Sequence, residues 1–125
     1  MLNLSHKKLA VYLLSLQRVK EIYLVTAKFP AEEKYVLVTQ LRRAAIPVCS
    51  NIAEGAARHS KQEKKRFYEI SRSSAVEIDT QFEIALLLEY VINIQVTDIA
   101  QKIESVFSML SKMIDNLENQ PPTRH

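Results

Sequence analysis

The feature that most constrains the fold of this 125-residue chain is its near lack of glycine, since Gly55 is the single example. Only four prolines accompany it, and hydrophobic residues make up 47% of the sequence. A β-sheet protein of this length needs many more glycines and prolines to turn its strands. Leu, Ile, Val, Ala, Glu, Lys and Gln recur throughout the chain, and these residues favour helices or fill their core. The composition therefore predicts an all-α fold.

Apolar residues repeat at helical spacing in four segments. The sequence "KFP" separates the first two, Gly55 with "AARH" ends the second, and Asn93 marks a weaker break after the third. We predict helices over residues 5–28, 31–57, 60–91 and 97–118. Ser60 with Glu63 fits a capping box at the start of the third helix. Short connections between long helices predict one antiparallel, up-down-up-down four-helix bundle over residues 1–118, with a flexible tail over 119–125.

The spacing of apolar residues also predicts which side of each helix faces the core. In the first helix the predicted inward residues are Leu9, Leu13, Leu16, Val19, Tyr23 and Thr26. In the second they are Val38, Leu41, Ala45, Val48 and Ile52. In the third they are Phe67, Ile70, Ser74, Ile78, Gln81, Ala85 and Leu88. In the fourth they are Ile99, Ile103, Val106, Leu110, Met113 and Leu117.

Helices three and four carry more apolar residues than these stripes need. The additional residues are Tyr68, Ala75, Phe82, Leu86 and Tyr90 in helix three, and Ala100, Phe107 and Ile114 in helix four. Wide stripes can simply bury more surface within one chain. They can also serve self-association, because large exposed apolar patches are rare on monomers.

The stretch "RRAAIPVCSNIAEG" places Pro47 and several polar residues inside helix two. Proline lacks the backbone donor that a helix interior needs, so we predict a kink there. Buried polar groups require partners. We therefore predict a structural network that joins Arg43, Asn51 and Glu54 to polar residues of helix three, including Glu77 and Gln81. A ligand site is the alternative interpretation.

The residues that usually perform catalysis are absent or dispersed. His6, His59 and His125 lie far apart, and the sequence contains neither a glycine-rich phosphate loop nor a paired-cysteine motif. Cys49 is predicted to be a buried, inert thiol. We therefore predict no enzyme, no cofactor and no metal site. A single cysteine suits a reducing cytoplasm, and no run of about 18 apolar residues indicates a membrane span.

Positive charge is concentrated where helix three begins. The basic residues there are Arg58, Lys61, Lys64, Lys65, Arg66 and Arg72, with His59 beside them. Only Glu63 and Glu69 oppose them, which leaves a local net charge of +4 in a chain of net charge +3. Such a surface can bind nucleic-acid phosphates without reading bases, and Arg42 is a further candidate. A solvated basic face is the alternative.

Residues 40–85, "QLRRAAIPVCSNIAEGAARHSKQEKKRFYEISRSSAVEIDTQFEIA", resemble the signature of the 23S rRNA-intervening-sequence protein family. The matching blocks are Gln40–Ala45, Asn51–Gly55, the set Arg58, Ser60 and Glu63, and the set Glu77, Gln81 and Ala85. One position departs from the family pattern. Its proline usually lies two residues before the asparagine, where this chain has Cys49, and here the proline is Pro47.

The resemblance implies an up-down four-helix bundle that assembles as a homopentameric barrel with a basic surface. It also implies a relation to the accessory variability protein of diversity-generating retroelements, which works with a reverse transcriptase and binds nucleic acid. The expected partners are thus further copies of the chain, RNA or DNA, and a reverse transcriptase or other protein. Our leading hypothesis is a non-enzymatic, oligomeric bundle that binds nucleic acid, and the alternative is a protein-interaction scaffold.

Overall fold

A computed structural model describes residue 2 and residues 4–119, except for the side chains of Lys7 and Lys8. Four α-helices make up most of it: α1 (Ala10–Thr26), α2 (Thr39–Ala57), α3 (Lys61–Leu87) and α4 (Asn93–Glu118). None of these described residues lies in a β-strand, which confirms the all-α prediction. The predicted flexible tail lies outside the described residues, apart from Asn119. The domain limits 1–118 stay a prediction.

Helix α1 is shorter than predicted and turns a different face to the core. A 3₁₀ turn (Ser5–Lys8) precedes it. Its buried residues are Val11, Ser15, Arg18, Ile22 and Thr26. The predicted stripe is wrong at Leu13, Leu16 and Tyr23, which are exposed, whereas Thr26 is buried and Leu9 and Val19 are partly buried against the core.

The polar members of the α1 core face have local partners that permit their burial. Ser15 Oγ donates to the Tyr12 carbonyl at 2.7 Å, and Thr26 Oγ1 donates to the Ile22 carbonyl at 2.6 Å. A hydroxyl that bonds to its own helix loses little on burial. The core face of α1 is therefore more polar than its outer face.

Helix α2 buries the face that the sequence predicts, with Val38, Leu41, Ala45, Val48 and Ile52 all in the core. A 3₁₀ turn (Ala31–Glu33) and a π-helical segment (Lys34–Val38) lead into it. Pro47 lies inside the α-helix, which continues on both sides of it. The kink stays a prediction.

Helix α2 ends at Ala57 as predicted, but Gly55 is not the residue at which the backbone leaves the helix, contrary to the prediction. The helix continues to Ala57 and leaves the helical conformation at Arg58, whose backbone is extended. Gly55 is buried, and a Cβ atom there would lie 2.6 Å from Tyr68 Cε1 and 3.2 Å from Phe67 Cβ. The glycine is thus needed because α3 packs closely against the α2 backbone.

Helix α3 begins as predicted, with the Glu63 amide donating to Ser60 Oγ at 3.1 Å. Its inward face is rotated from the predicted one. Ser74, Ile78 and Ala85 are buried, and so are three of the additional apolar residues, Tyr68, Ala75 and Phe82, whereas Ile70 and Leu88 are exposed. For these three additional residues, burial within one chain is the correct interpretation.

Helix α4 begins at Asn93 rather than near Thr97. The backbone turns between α3 and α4 at Glu89, which has a positive φ of 63°. The predicted residues Ile99, Ile103, Val106 and Leu110 are buried. Toward the end of α4, Ile114 occupies the core, while Met113 and Leu117 are only partly buried against it. The drift from 3.5 to 3.6 residues per turn explains this rotation.

Contacts between neighbouring helices run in opposite order along the chain. Lys64, near the start of α3, bonds to carbonyls at the end of α2, and Tyr90, after α3, bonds to Glu33, before α2. Lys65 likewise contacts Glu118, and Arg72 contacts Ser111. These contacts are those of antiparallel neighbours. Helix α1 packs against both α2 and α4, which closes the bundle around one core.

Candidate nucleic-acid interface

The predicted basic residues gather around the turn between α2 and α3 and the first three turns of α3. Arg58 and His59 lie in the turn, Ser60 caps the helix, and the remaining cations follow on α3. The first backbone amides of a helix also favour anions. We call this set of basic residues the basic end surface: Arg58, His59, Lys61, Lys64, Lys65, Arg66 and Arg72.

Two cations of the basic end surface form exposed ion pairs. Arg58 Nη2 lies 3.0 Å from Glu54 Oε2, and its guanidinium lies 4.9 Å from the ring centre of Phe67. Lys65 Nζ lies 2.8 Å from Glu118 Oε1 and 3.8 Å from Glu69 Oε1. The hydrogen bond to Glu118 raises the pKa of Lys65, so this ammonium stays charged. The chain's own carboxylates thus offset part of the positive charge.

Two other cations bond to neutral acceptors, and no carboxylate among the described residues pairs with them. Lys64 Nζ donates to the carbonyls of Ala56 at 3.1 Å and Gly55 at 3.4 Å, at the C-terminal end of α2. A cation is favourable there because the helix end is negative. Arg72 Nη1 donates to Ser111 Oγ at 3.1 Å, with its guanidinium 5.7 Å from the Phe107 ring centre.

Arg66 and His59 are exposed and form no ion pair or hydrogen bond with other described residues. They are therefore the members most open to an outside anion. Arg42, in contrast, does not belong to the basic end surface. Its Nε donates to Thr26 Oγ1 at 3.0 Å and its Nη2 donates to the Tyr23 carbonyl at 3.2 Å, so it caps the end of α1.

The predicted polar network between helices two and three does not form through Asn51 or Glu54. Asn51 Nδ2 donates to the Pro47 carbonyl at 2.8 Å within its own helix. Glu54 pairs with Arg58, also locally. Instead, a hydrogen bond that the sequence prediction missed joins the two helices, from Ser71 Oγ to the Val48 carbonyl at 2.7 Å.

The other three residues of the predicted network, Arg43, Glu77 and Gln81, line an open cleft of about 430 Å³ between α2 and α3. Arg43 and Glu77 are exposed and form no ion pair with each other or with another described residue. The Oε1 atom of Gln81 is buried and has no hydrogen-bond partner among the residues described. These three residues therefore share a site, but they do not bond across it.

A buried arginine is the main polar feature that the sequence prediction missed. Arg18 is 2% exposed, and its Nη2 lies 2.8 Å from Glu21 Oε1. Lys102 Nζ approaches the same oxygen at 3.7 Å. Nε and Nη1 of Arg18 have no partner within the described part of the chain. The sequence signal was available, since Arg18 repeats at helical spacing with Val11, Ser15 and Ile22.

The described residues contain no group of three or more His, Cys, Asp or Glu side chains that could hold a metal ion. Cys49 is buried, and burial raises the pKa of its thiol. A thiol that stays protonated is a poor nucleophile. Among the helices described, none is long and apolar enough to cross a membrane.

The comparisons with known proteins agree with the sequence signature. The sequence profile described as "23S rRNA-intervening sequence protein" matches residues 7–112. The chain belongs to this family. The match covers α1, α2, α3 and α4 as far as residue 112, and it contains the basic end surface and the cleft between α2 and α3. The relation to the accessory variability protein stays an expectation.

A crystal structure of a protein from Bacteroides thetaiotaomicron is similar in fold, with a TM-score of 0.77. That protein is described as having unknown function and as belonging to the S23 ribosomal protein family. The two sequences are 22% identical, and the alignment covers 84% of this chain and 95% of the other. At this identity the likeness supports the fold alone. No curated protein matches the sequence.

Proposed function

We propose that this chain is a non-enzymatic, self-associating helical bundle of the cytoplasm that binds RNA or DNA through phosphates. The observation that supports it most is the clustering of seven basic side chains at the start of α3, two of which, His59 and Arg66, have no partner among the described residues. Binding of this kind follows backbone charge rather than base sequence.

The internal ion pairs of the basic end surface do not prevent such binding. The Arg58–Glu54 and Lys65–Glu118 pairs are formed by half-exposed side chains. Exposed pairs of this type contribute roughly 0–1 kcal/mol, so a phosphate can replace the carboxylate. Lys64 and Arg72 bond only to neutral oxygens, and they add their whole charge to the local field.

Self-association is supported by apolar side chains that remain exposed on α1, including Leu13, Leu16 and Leu24. Contiguous exposed apolar surface usually marks an interaction site. The family resemblance implies five copies, and we adopt that number as part of the proposal.

A double charge reversal tests the nucleic-acid part of the proposal. We expect Lys61→Glu with Arg66→Glu to reduce the slope of log affinity against log salt by about 1.4, since each lost phosphate contact with a single strand removes about 0.7. The affinity should fall equally for RNAs of different sequence. The measurement is fluorescence anisotropy with a labelled single-stranded RNA across a salt series, with helicity checked by circular dichroism.

The matched control is Lys28→Glu with Lys34→Glu, which changes the net charge equally at the opposite end of the bundle. This control should leave the salt slope unchanged. Equal losses for both pairs would show that only net charge matters. An unchanged salt slope for the double variant of Lys61 and Arg66 would show that the basic end surface does not contact the RNA phosphates.

The second candidate function is a protein-interaction scaffold without nucleic-acid binding. A groove of about 640 Å³ between α3 and α4 favours it, because Val76, Leu86, Ile103 and Phe107 line the groove with apolar surface. A reverse transcriptase or another protein would then be the partner. Absence of RNA binding by the wild-type chain at low salt would favour this candidate over the first.

A further inference from the structure

We propose that the outer face of α1 in one copy packs into the cleft between α2 and α3 of the next copy, with Lys20 of the first pairing with Glu77 of the second. This inference rests on the self-association in the proposed function and specifies its interface. The cleft, the exposed α1 face and their charges support it independently of the basic end surface.

The cleft between α2 and α3 has a polar centre and apolar ends. Arg43, Glu77 and Gln81 form its centre, with Pro47 and Ser74 beside them. Ile70 and Ile84 are exposed and lie seven residues before and after Glu77. Residues seven apart lie on the same face of a helix. The cleft therefore continues into apolar surface in both directions along α3.

The polar centre of the cleft is incomplete within one chain. Gln81 Oε1 is buried without a donor among the described residues, and a buried acceptor without a partner is unfavourable. The Glu77 carboxylate has no cationic partner among the described residues, although Arg43 lines the same cleft. A donor with positive charge, supplied from outside the chain, would satisfy both acceptors.

The outer face of α1 has the complementary pattern. Leu13, Gln17, Lys20 and Leu24 follow one another at spacings of four, three and four residues, so they lie on one face. Leu13 is 49% exposed and Leu24 is 60% exposed. Lys20 is exposed and has no partner among the described residues. This stripe has a cationic centre and apolar ends.

The two surfaces are comparable in length. At about 1.5 Å per residue, Leu13 and Leu24 lie about 16 Å apart along α1, and Ile70 and Ile84 lie about 21 Å apart along α3. The leucines can therefore contact the apolar ends of the cleft while Lys20 lies over Glu77 and Gln81. An amphipathic helix that lays its apolar residues into a groove is a common mode of recognition.

A second copy is the occupant that these surfaces favour, because the same chain carries both the Glu77 carboxylate of the cleft and the Lys20 ammonium of the stripe, neither of which pairs with another described residue. The contact joins two different surfaces, so each copy has one stripe and one cleft to offer. Contacts of this kind close into a ring when the rotation permits. A ring would leave neither surface exposed.

A charge swap tests the interface. Lys20→Glu and Glu77→Lys, made separately, should each weaken association about tenfold or more, since like charges across an interface are strongly unfavourable. The two changes together in one chain should restore the wild-type assembly. The control Lys112→Glu, an exposed reversal on α4, should leave the assembly unchanged. The measurement is the mass across a concentration series by sedimentation velocity, with folding checked by circular dichroism.

The outcomes separate this inference from the proposed function. If the wild-type chain sediments as a monomer at micromolar concentration, the proposal of self-association is wrong, and the proposed interface is wrong as well. If the wild type assembles but the single reversals do not weaken it, only this interface is wrong. If a single reversal weakens assembly and the double variant does not recover it, Lys20 and Glu77 do not pair, and the proposal is also overturned.

Discussion

Gly55→Ala should lower the free energy of unfolding by about 1–3 kcal/mol, the cost of overpacking a buried contact. The added Cβ would lie 2.6 Å from Tyr68 Cε1 and 2.8 Å from Tyr68 Cδ1. Tyr68 is 5% exposed, so its ring has little room to move. Alanine is favoured over glycine inside a helix by about 1 kcal/mol. The contact with α3 must therefore outweigh this intrinsic preference.

A second background makes the Gly55 prediction specific. In a Tyr68→Leu variant the aromatic ring is absent, and Gly55→Ala should then be neutral or stabilising by up to about 1 kcal/mol. Both pairs of proteins are compared by urea denaturation at equilibrium. A stabilising effect of Gly55→Ala in the wild-type background would contradict the close packing of α2 on α3.

Glu21→Leu should lower the free energy of unfolding by roughly 2–3 kcal/mol, because it leaves the buried Arg18 guanidinium without a carboxylate. Among the described residues, only Gln17 Oε1, at 3.4 Å from Nη2, would remain as a partner. Breaking a fully buried ion pair costs about 3–5 kcal/mol. We expect the lower value here because Glu21 is 28% exposed and water can reach it.

Arg18→Met should leave the free energy of unfolding unchanged or raise it. Replacing a buried charge by an apolar side chain of similar length often has this effect. The double variant Arg18→Met with Glu21→Leu should lie closer to the wild type than Glu21→Leu alone. Thermal unfolding followed by circular dichroism measures all three. If Arg18→Met is the more destabilising of the two single changes, Arg18 has a favourable role that its present contacts do not explain.

The sequence predicts the inward face of a helix when apolar residues occupy one side of it, as they do in α2. In α1, apolar residues surround much of the helix, and two stripes have the required spacing. The stripe with more leucine is on the outside, because Ser15, Thr26 and Arg18 find partners within their own helix. Such local bonds depend on side-chain conformation, which residue spacing does not reveal.

The sequence predicts the part of the candidate site that lies on a single helix. The cations at the start of α3 are close in sequence and therefore close in space. Their partners were not predictable, since Glu118 lies far along the chain from Lys65 and meets it only because α3 and α4 are antiparallel. The sequence predicts a cross-helix contact for Asn51, but its amide bonds to the nearer Pro47 carbonyl in the same helix.

The salt dependence of RNA binding by the wild-type chain tests the central claim most directly. If about four cations of the basic end surface contact phosphates, log affinity should fall with log salt at a slope of about −2.8 to −3.6. The slope should be the same for RNAs of unrelated sequence. Phosphate contacts are strongest at low salt, roughly 50 mM or below. A slope near zero, or no binding at such a salt concentration, would contradict phosphate recognition by this bundle.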